Sequence, residues 1–99
     1  MREAPSDWPF KDSTNFSAFT LWNIIRDGAP ILLVTHDADD GAWQFLDGSD
    51  LVDAKPAVVA LVEMVKLDPT LLELADLPEG WQARRTACGA HWIREKMSE

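Results

Sequence analysis

Residues 31–46, ILLVTHDADDGAWQFL, set two apolar runs on either side of a short stretch of Asp and Gly. The first run, Ile31 to Val34, is apolar on consecutive residues, as in a strand buried on both faces. In the second, Trp43 and Phe45 alternate with Gln44, so an extended chain puts both rings on one side. Between the runs, Asp40-Gly41 suits a tight reversal, because both residues tolerate positive φ. The pattern predicts a β-hairpin with its first strand central in a sheet. Trp43 and Phe45 anchor it to the core while the carboxylates face water.

The other segments fit around that hairpin. Residues 1–15 read as an extended lead-in tied down by Trp8 and Phe10, and 16–99 as a single domain. FSAFT (16–20) is a short strand. LWNIIRDG follows, with Leu21, Ile24 and Ile25 at helical spacing, Thr20 as a cap and Gly28 just past the end. AVVALV (57–62) reads as another buried strand, running into a helical EMVKL. Asp68 and Pro69 form a helix start, with Leu71, Leu72 and Ala75 as the inward stripe and Pro78 as the stop. WQARRT and HWIRE alternate apolar and polar residues and predict a second hairpin. The expected fold is α+β: a mostly antiparallel sheet of about five strands with two or three short helices packed on one face.

Charge narrows the functions available. Seventeen acidic residues against nine basic ones give a formal net charge of −8. Nucleic acids and anionic membranes are bound through clustered Lys and Arg, so neither is an expected partner. A basic protein is. The single Cys88 allows no internal disulfide and fits a reducing cytoplasm. The first residues lack a basic stretch leading into an apolar core, and no apolar run approaches the roughly 20 residues of a membrane helix. A cytoplasmic location is the expectation.

Chemical motifs are few. Counted from Asp37 as a calcium loop, Asp39 fits the third position, but Gly41, Ala42 and Gly48 fall at the fifth, sixth and twelfth. His36 and Asp37 are adjacent on an extended chain and so point to opposite faces. Cys88 and His91 flank a turn, without an orienting group or oxyanion hole beside them in the sequence. One Cys and two His leave a structural zinc short of its four ligands unless a carboxylate completes the set. The five glycines form neither a dinucleotide nor a P-loop fingerprint. No cofactor, metal or catalytic set is expected.

Two stretches, DGAWQFLDG (40–48) and LDPTLLELADLPEGW (67–81), resemble a family of small bacterial proteins of unknown function. Its relatives include predicted immunity proteins of polymorphic toxin systems, which share a GWxFLxG-like strand. The resemblance runs from about Phe16 to Arg85 and brings no catalytic residues with it. It implies a non-enzymatic binding protein that covers a basic toxin-like surface. The expected partner-binding residues are Asp37, Asp39, Asp40, Asp47 and Asp50 with Trp43, and one or two exposed Trp supply the anchors. Two alternatives stand beside this. One is a small enzyme or metal-dependent hydrolase using His36 and its neighbouring Asp residues. The other is a self-associating accessory domain, so a monomer or a weak homodimer is expected.

Overall fold

The structure, a computed structural model, describes residues 8–49 and 54–97. Six strands and three short helices follow in the order β1 (Ser17–Leu21), α1 (Trp22–Asp27), β2 (Leu33–His36), β3 (Trp43–Leu46), β4 (Pro56–Ala60), α2 (Leu61–Leu67), a 3₁₀ helix (Pro69–Leu74), β5 (Trp81–Arg84) and β6 (Ile93–Lys96). The strands form one sheet in the order β4-β1-β3-β2-β5-β6. Every neighbouring pair is antiparallel except β1 and β3, which run parallel. The fold is α+β with a mostly antiparallel sheet.

Both expected hairpins form, β2 with β3 and β5 with β6. Strand β2 lies in the interior of the sheet between β3 and β5, as its unbroken apolar run requires. Helix α1 ends at Gly28, whose φ of 73° lets its N–H reach back to the Asn23 carbonyl.

Thr20 lies in β1 and does not cap α1, whose cap position is Leu21 with no side-chain bond. Two further segments depart from the sequence reading. The strand expected over 57–62 stops at Ala60, and Leu61 and Val62 already belong to α2. Strand β4 is also an edge rather than a buried strand, with Val58 57% exposed. A run of Ala and Val looks the same in either setting, because periodicity alone does not separate a buried strand from the start of a buried helix. The second departure is the helix after Asp68. Asp68 caps it as expected, its carboxylate accepting from the Thr70 N–H at 3.0 Å. The turn is 3₁₀, however, and with three residues per turn its buried positions become Leu71 and Leu74 instead of Leu71, Leu72 and Ala75, with Leu77 buried in the segment that follows.

The core lies on one face of the sheet. Val34 sits opposite Phe45 and Ala83, and Ala18 sits opposite Trp43. Leu61 and Met64 of α2 join them, with Leu71, Leu74 and Leu77. Phe10 belongs to the same core, and Trp8 and Phe16 pack against it. Thr20 is buried and satisfied, donating to the Phe45 carbonyl at 2.8 Å.

Arg85, just beyond β5, is the unexpected core member. Its side chain is fully buried. Nε donates to the Ile31 carbonyl at 3.0 Å, Nη1 to Thr70 Oγ1 at 3.0 Å and Nη2 to Asp68 Oδ2 at 2.5 Å. The guanidinium also lies 4.0 Å from the centre of the Trp92 ring. Removing one member of a buried pair leaves an uncompensated charge, which costs about 3–5 kcal/mol. Asp68→Ala is therefore expected to lower the unfolding free energy by roughly that amount, read from urea denaturation. A loss near 1 kcal/mol, the usual figure for an exposed ion pair, contradicts this account.

Candidate functional site

The β2–β3 hairpin builds one wall of the site. Asp37 N–H donates to the Ala42 carbonyl at 2.8 Å, and Gly41 N–H to the Asp37 carbonyl at 3.0 Å. Two Asp side chains brace the turn from inside: Asp37 Oδ1 accepts from the Asp39 N–H at 2.8 Å and Asp40 Oδ1 from the Ala42 N–H at 3.0 Å. Only Gly41 takes positive φ in this turn, at 72°. A Cβ there would also come within 3.1 Å of Glu79 Oε2, so the loop before β5 closes directly over the hairpin. That loop is tied down by the Gly80 N–H, which donates to the His36 carbonyl at 2.6 Å.

His36 and Trp43 face each other across the hairpin on the core side of the sheet. Their rings stack at 3.9 Å with an interplanar angle of 13°. His36 Nδ1 lies 2.7 Å from the Leu77 carbonyl oxygen. A carbonyl only accepts, so Nδ1 carries a proton, and whenever the ring is neutral Nε2 is the acceptor. Phe10 packs edge-on against Trp43 at 5.3 Å. The Trp43 indole N–H donates to Asp12 Oδ2 at 2.9 Å, and the Trp8 indole N–H to the Asp12 carbonyl at 2.8 Å. Four aromatic rings thus deliver the Asp12 carboxylate to the side of His36.

Between these walls opens a cleft of about 340 Å³, lined among others by Asp12, His36, Leu77, Pro78 and Glu79. Asp76 stands at its rim, paired with Arg94 at 2.9 Å. Hydrogen bonding to Arg94, and its charge, hold the Asp76 carboxyl below the usual Asp range. Nothing among the described residues bonds Asp12 Oδ1, the Glu79 carboxylate or His36 Nε2.

The residues expected to contact a partner are split by this geometry. Asp37, Asp39 and Asp40 share the hairpin tip beside the cleft. Asp47 follows the last residue of β3, about 13 Å away along a four-residue strand. There it accepts from the Ser49 hydroxyl at 2.6 Å, the Ser49 N–H at 3.0 Å and Asn23 Nδ2 at 2.8 Å, which ties the loop to α1. Asp50 lies outside the described residues. Trp43 is 1% exposed and is a core residue, not a surface anchor. The exposed tryptophan among those described is Trp22, at 44%, on α1 near Asp47 rather than near the hairpin tip.

Asp12, Asp76 and Glu79 were not legible as site residues. They reach the hairpin only through tertiary contacts, and the Pro78-Glu79-Gly80 turn ahead of Trp81 is the one local hint. Cys88 is exposed and no hydrogen bond joins it to His91. Among the described residues no group of three or more His, Cys, Asp and Glu side chains is placed to hold a metal ion. None of the described helices is long and apolar enough to cross a membrane. Comparison with known proteins finds no matching family model, no matching curated protein and no matching solved structure.

The placement of Asp47 has a pH consequence. The Ser49 hydroxyl, and then the Ser49 N–H and Asn23, hold its carboxyl below the ordinary value of 3.8, against the opposing effect of burial. A depressed folded-state value contributes stability that is complete above 3.8 and is lost as pH falls through the folded value. Asp47→Ala is expected to cost about 1 kcal/mol at pH 6. The gap from the unaltered protein should shrink as the medium is acidified below the ordinary Asp range. Urea unfolding at pH 6 and at low pH reads this, and a gap that stays constant or widens in acid contradicts it.

Proposed function

We propose that the chain is a non-enzymatic cytoplasmic binding protein whose acidic end covers a basic surface of a partner protein, the role of an immunity-type inhibitor. One observation carries this reading. Asp37, Asp39 and Asp40 at the hairpin tip are joined at the same end of the sheet by Asp12, Asp76 and Glu79, around an open cleft. Of the cations at this end, Arg94 is committed to Asp76 and to the Glu73 carbonyl, Lys11 lies at the cleft edge, and the exposed Lys96 stands on β6 opposite Trp81. A concentration of one sign of charge beside a low-dielectric wall steers an oppositely charged protein and selects its orientation. Two of the three hairpin carboxylates, Asp37 and Asp40, have one oxygen engaged in holding the turn, so the acidic tip is presented on a fixed backbone. Among the described residues lining the cleft none carries a hydroxyl or thiol, so no Ser, Thr or Cys nucleophile is among them.

The test is capture of a basic partner, such as a toxin domain encoded beside the gene, followed by association kinetics. The on-rate is expected to fall about tenfold or more between low and moderately high salt. The triple variant Asp37→Asn, Asp39→Asn, Asp40→Asn keeps oxygens that can hold the turn and should lose most of that salt dependence. Association indifferent to both salt and the triple variant overturns the reading.

A further inference from the structure

Resting on that reading, we propose that the cleft between the hairpin and the loop before β5 is a receptor for a guanidinium group, the side chain of one arginine of the partner. The argument is about donors and acceptors more than about net charge. In the neutral ring His36 Nε2 accepts, because Nδ1 is committed to the Leu77 carbonyl, and stacking on Trp43 holds the ring in place. Asp12 presents Oδ1 with Oδ2 already held by the Trp43 indole. Glu79 adds a further carboxylate, set over Gly41 where no side chain displaces it. Three acceptors on three separate segments therefore border one cavity, each lacking a donor among the described residues. The one donor in the lining with mobility enough to compete is the exposed Lys11.

What fits such a site is a group that only donates. A guanidinium carries five N–H donors in a plane, stays charged and is weakly hydrated, so it enters a cavity whose remaining walls are Ala75, Leu77 and Pro78. An ammonium is a compact, strongly hydrated charge and has more to lose there. The cavity, about 340 Å³, is at the small end of ligand sites, which span about 300–1,000 Å³. It accommodates one long side chain and some water, not a secondary-structure element. Buried arginine anchors of this kind dominate many protein interfaces.

The experiment uses the full chain, isotopically labelled, with the Trp43 indole N–H as reporter, since that proton bridges to Asp12. Acetyl-arginine amide is the probe, with acetyl-lysine amide and the neutral isostere acetyl-citrulline amide as comparators. The Trp43 indole signal is expected to shift saturably with the arginine probe, about fivefold more weakly with lysine, and not at all with citrulline. Asp12→Asn leaves an amide oxygen to accept from Trp43, so the fold is kept while arginine affinity drops about fivefold. Asp47→Asn, at the far end of β3, should change nothing. A Trp43 signal unmoved at about 100 mM arginine probe, an equal response to citrulline, or an Asp12→Asn variant that binds as before each overturns the proposal. If the probe fails while partner association still depends on salt and on the hairpin Asp residues, the acidic-end reading stands and the arginine anchor falls. If both fail, the reading beneath falls as well.

Discussion

A guanidinium with no access to water organises this small protein. Arg85 joins the end of β5 to the carbonyl of Ile31 ahead of β2, to Thr70 and Asp68 at the start of the 3₁₀ helix, and to the face of Trp92 before β6. An apolar core of this size is not geometrically demanding: many arrangements of Leu, Val and Phe bury similar area. A charged fork that must find three particular acceptors admits far fewer. Taking the charge out of water costs several kcal/mol, which good geometry at Asp68 offsets. Its contribution is therefore better described as fixing which segments meet than as adding net stability. One cost is left in place beside it, since the Trp92 indole N–H is buried without an acceptor.

The cleft inherits its rigidity from the same core. Trp43 is buried, with His36 stacked on one side, Phe45 stacked at 6.2 Å and Phe10 against it edge-on. His36 and Asp12 are held at the surface by contacts to this interior ring rather than by contacts to each other. Leu77 serves both layers: its side chain is in the core and its carbonyl sets the His36 tautomer. A change that loosens the 3₁₀ helix and the loop after it would be felt at the imidazole without touching it.

Local chemistry made part of this readable. The β2–β3 hairpin was legible because its strands and its turn are contiguous. The Gly28 terminus and the Asp68-Pro69 start were legible because caps are decided by one or two neighbours. The edge position of β4 and the parallel pairing of β1 with β3 were not, since no residue in either strand records its neighbour. Arg85 was hidden for a related reason: its partners stand 15, 17 and 54 residues away. The site was misread in the same way. The Asp residues from 37 to 47 are close in the chain, but a strand runs between them and carries Asp37 and Asp47 to opposite ends of the sheet. The residues that replace Asp47 come from 31 and 41 residues away along the chain, through the contacts of Asp12 to Trp43 and of Leu77 to His36.

Strand β1 pairs only with strands that come later, β3 on one side and β4 on the other. On a ribosome it therefore emerges with both rows of backbone N–H and C=O groups unclaimed. Thr20 meets its Phe45 acceptor 25 residues later, roughly 1–5 s of synthesis at about 5–20 residues per second. During that interval SAFTL is a short apolar segment with two open edges, the kind that pairs with another nascent chain. Helix α1 follows β1 without a break, but six residues are too few to hold a helix alone in water, so the whole β1–α1 segment waits on β3 and β4 for its structure.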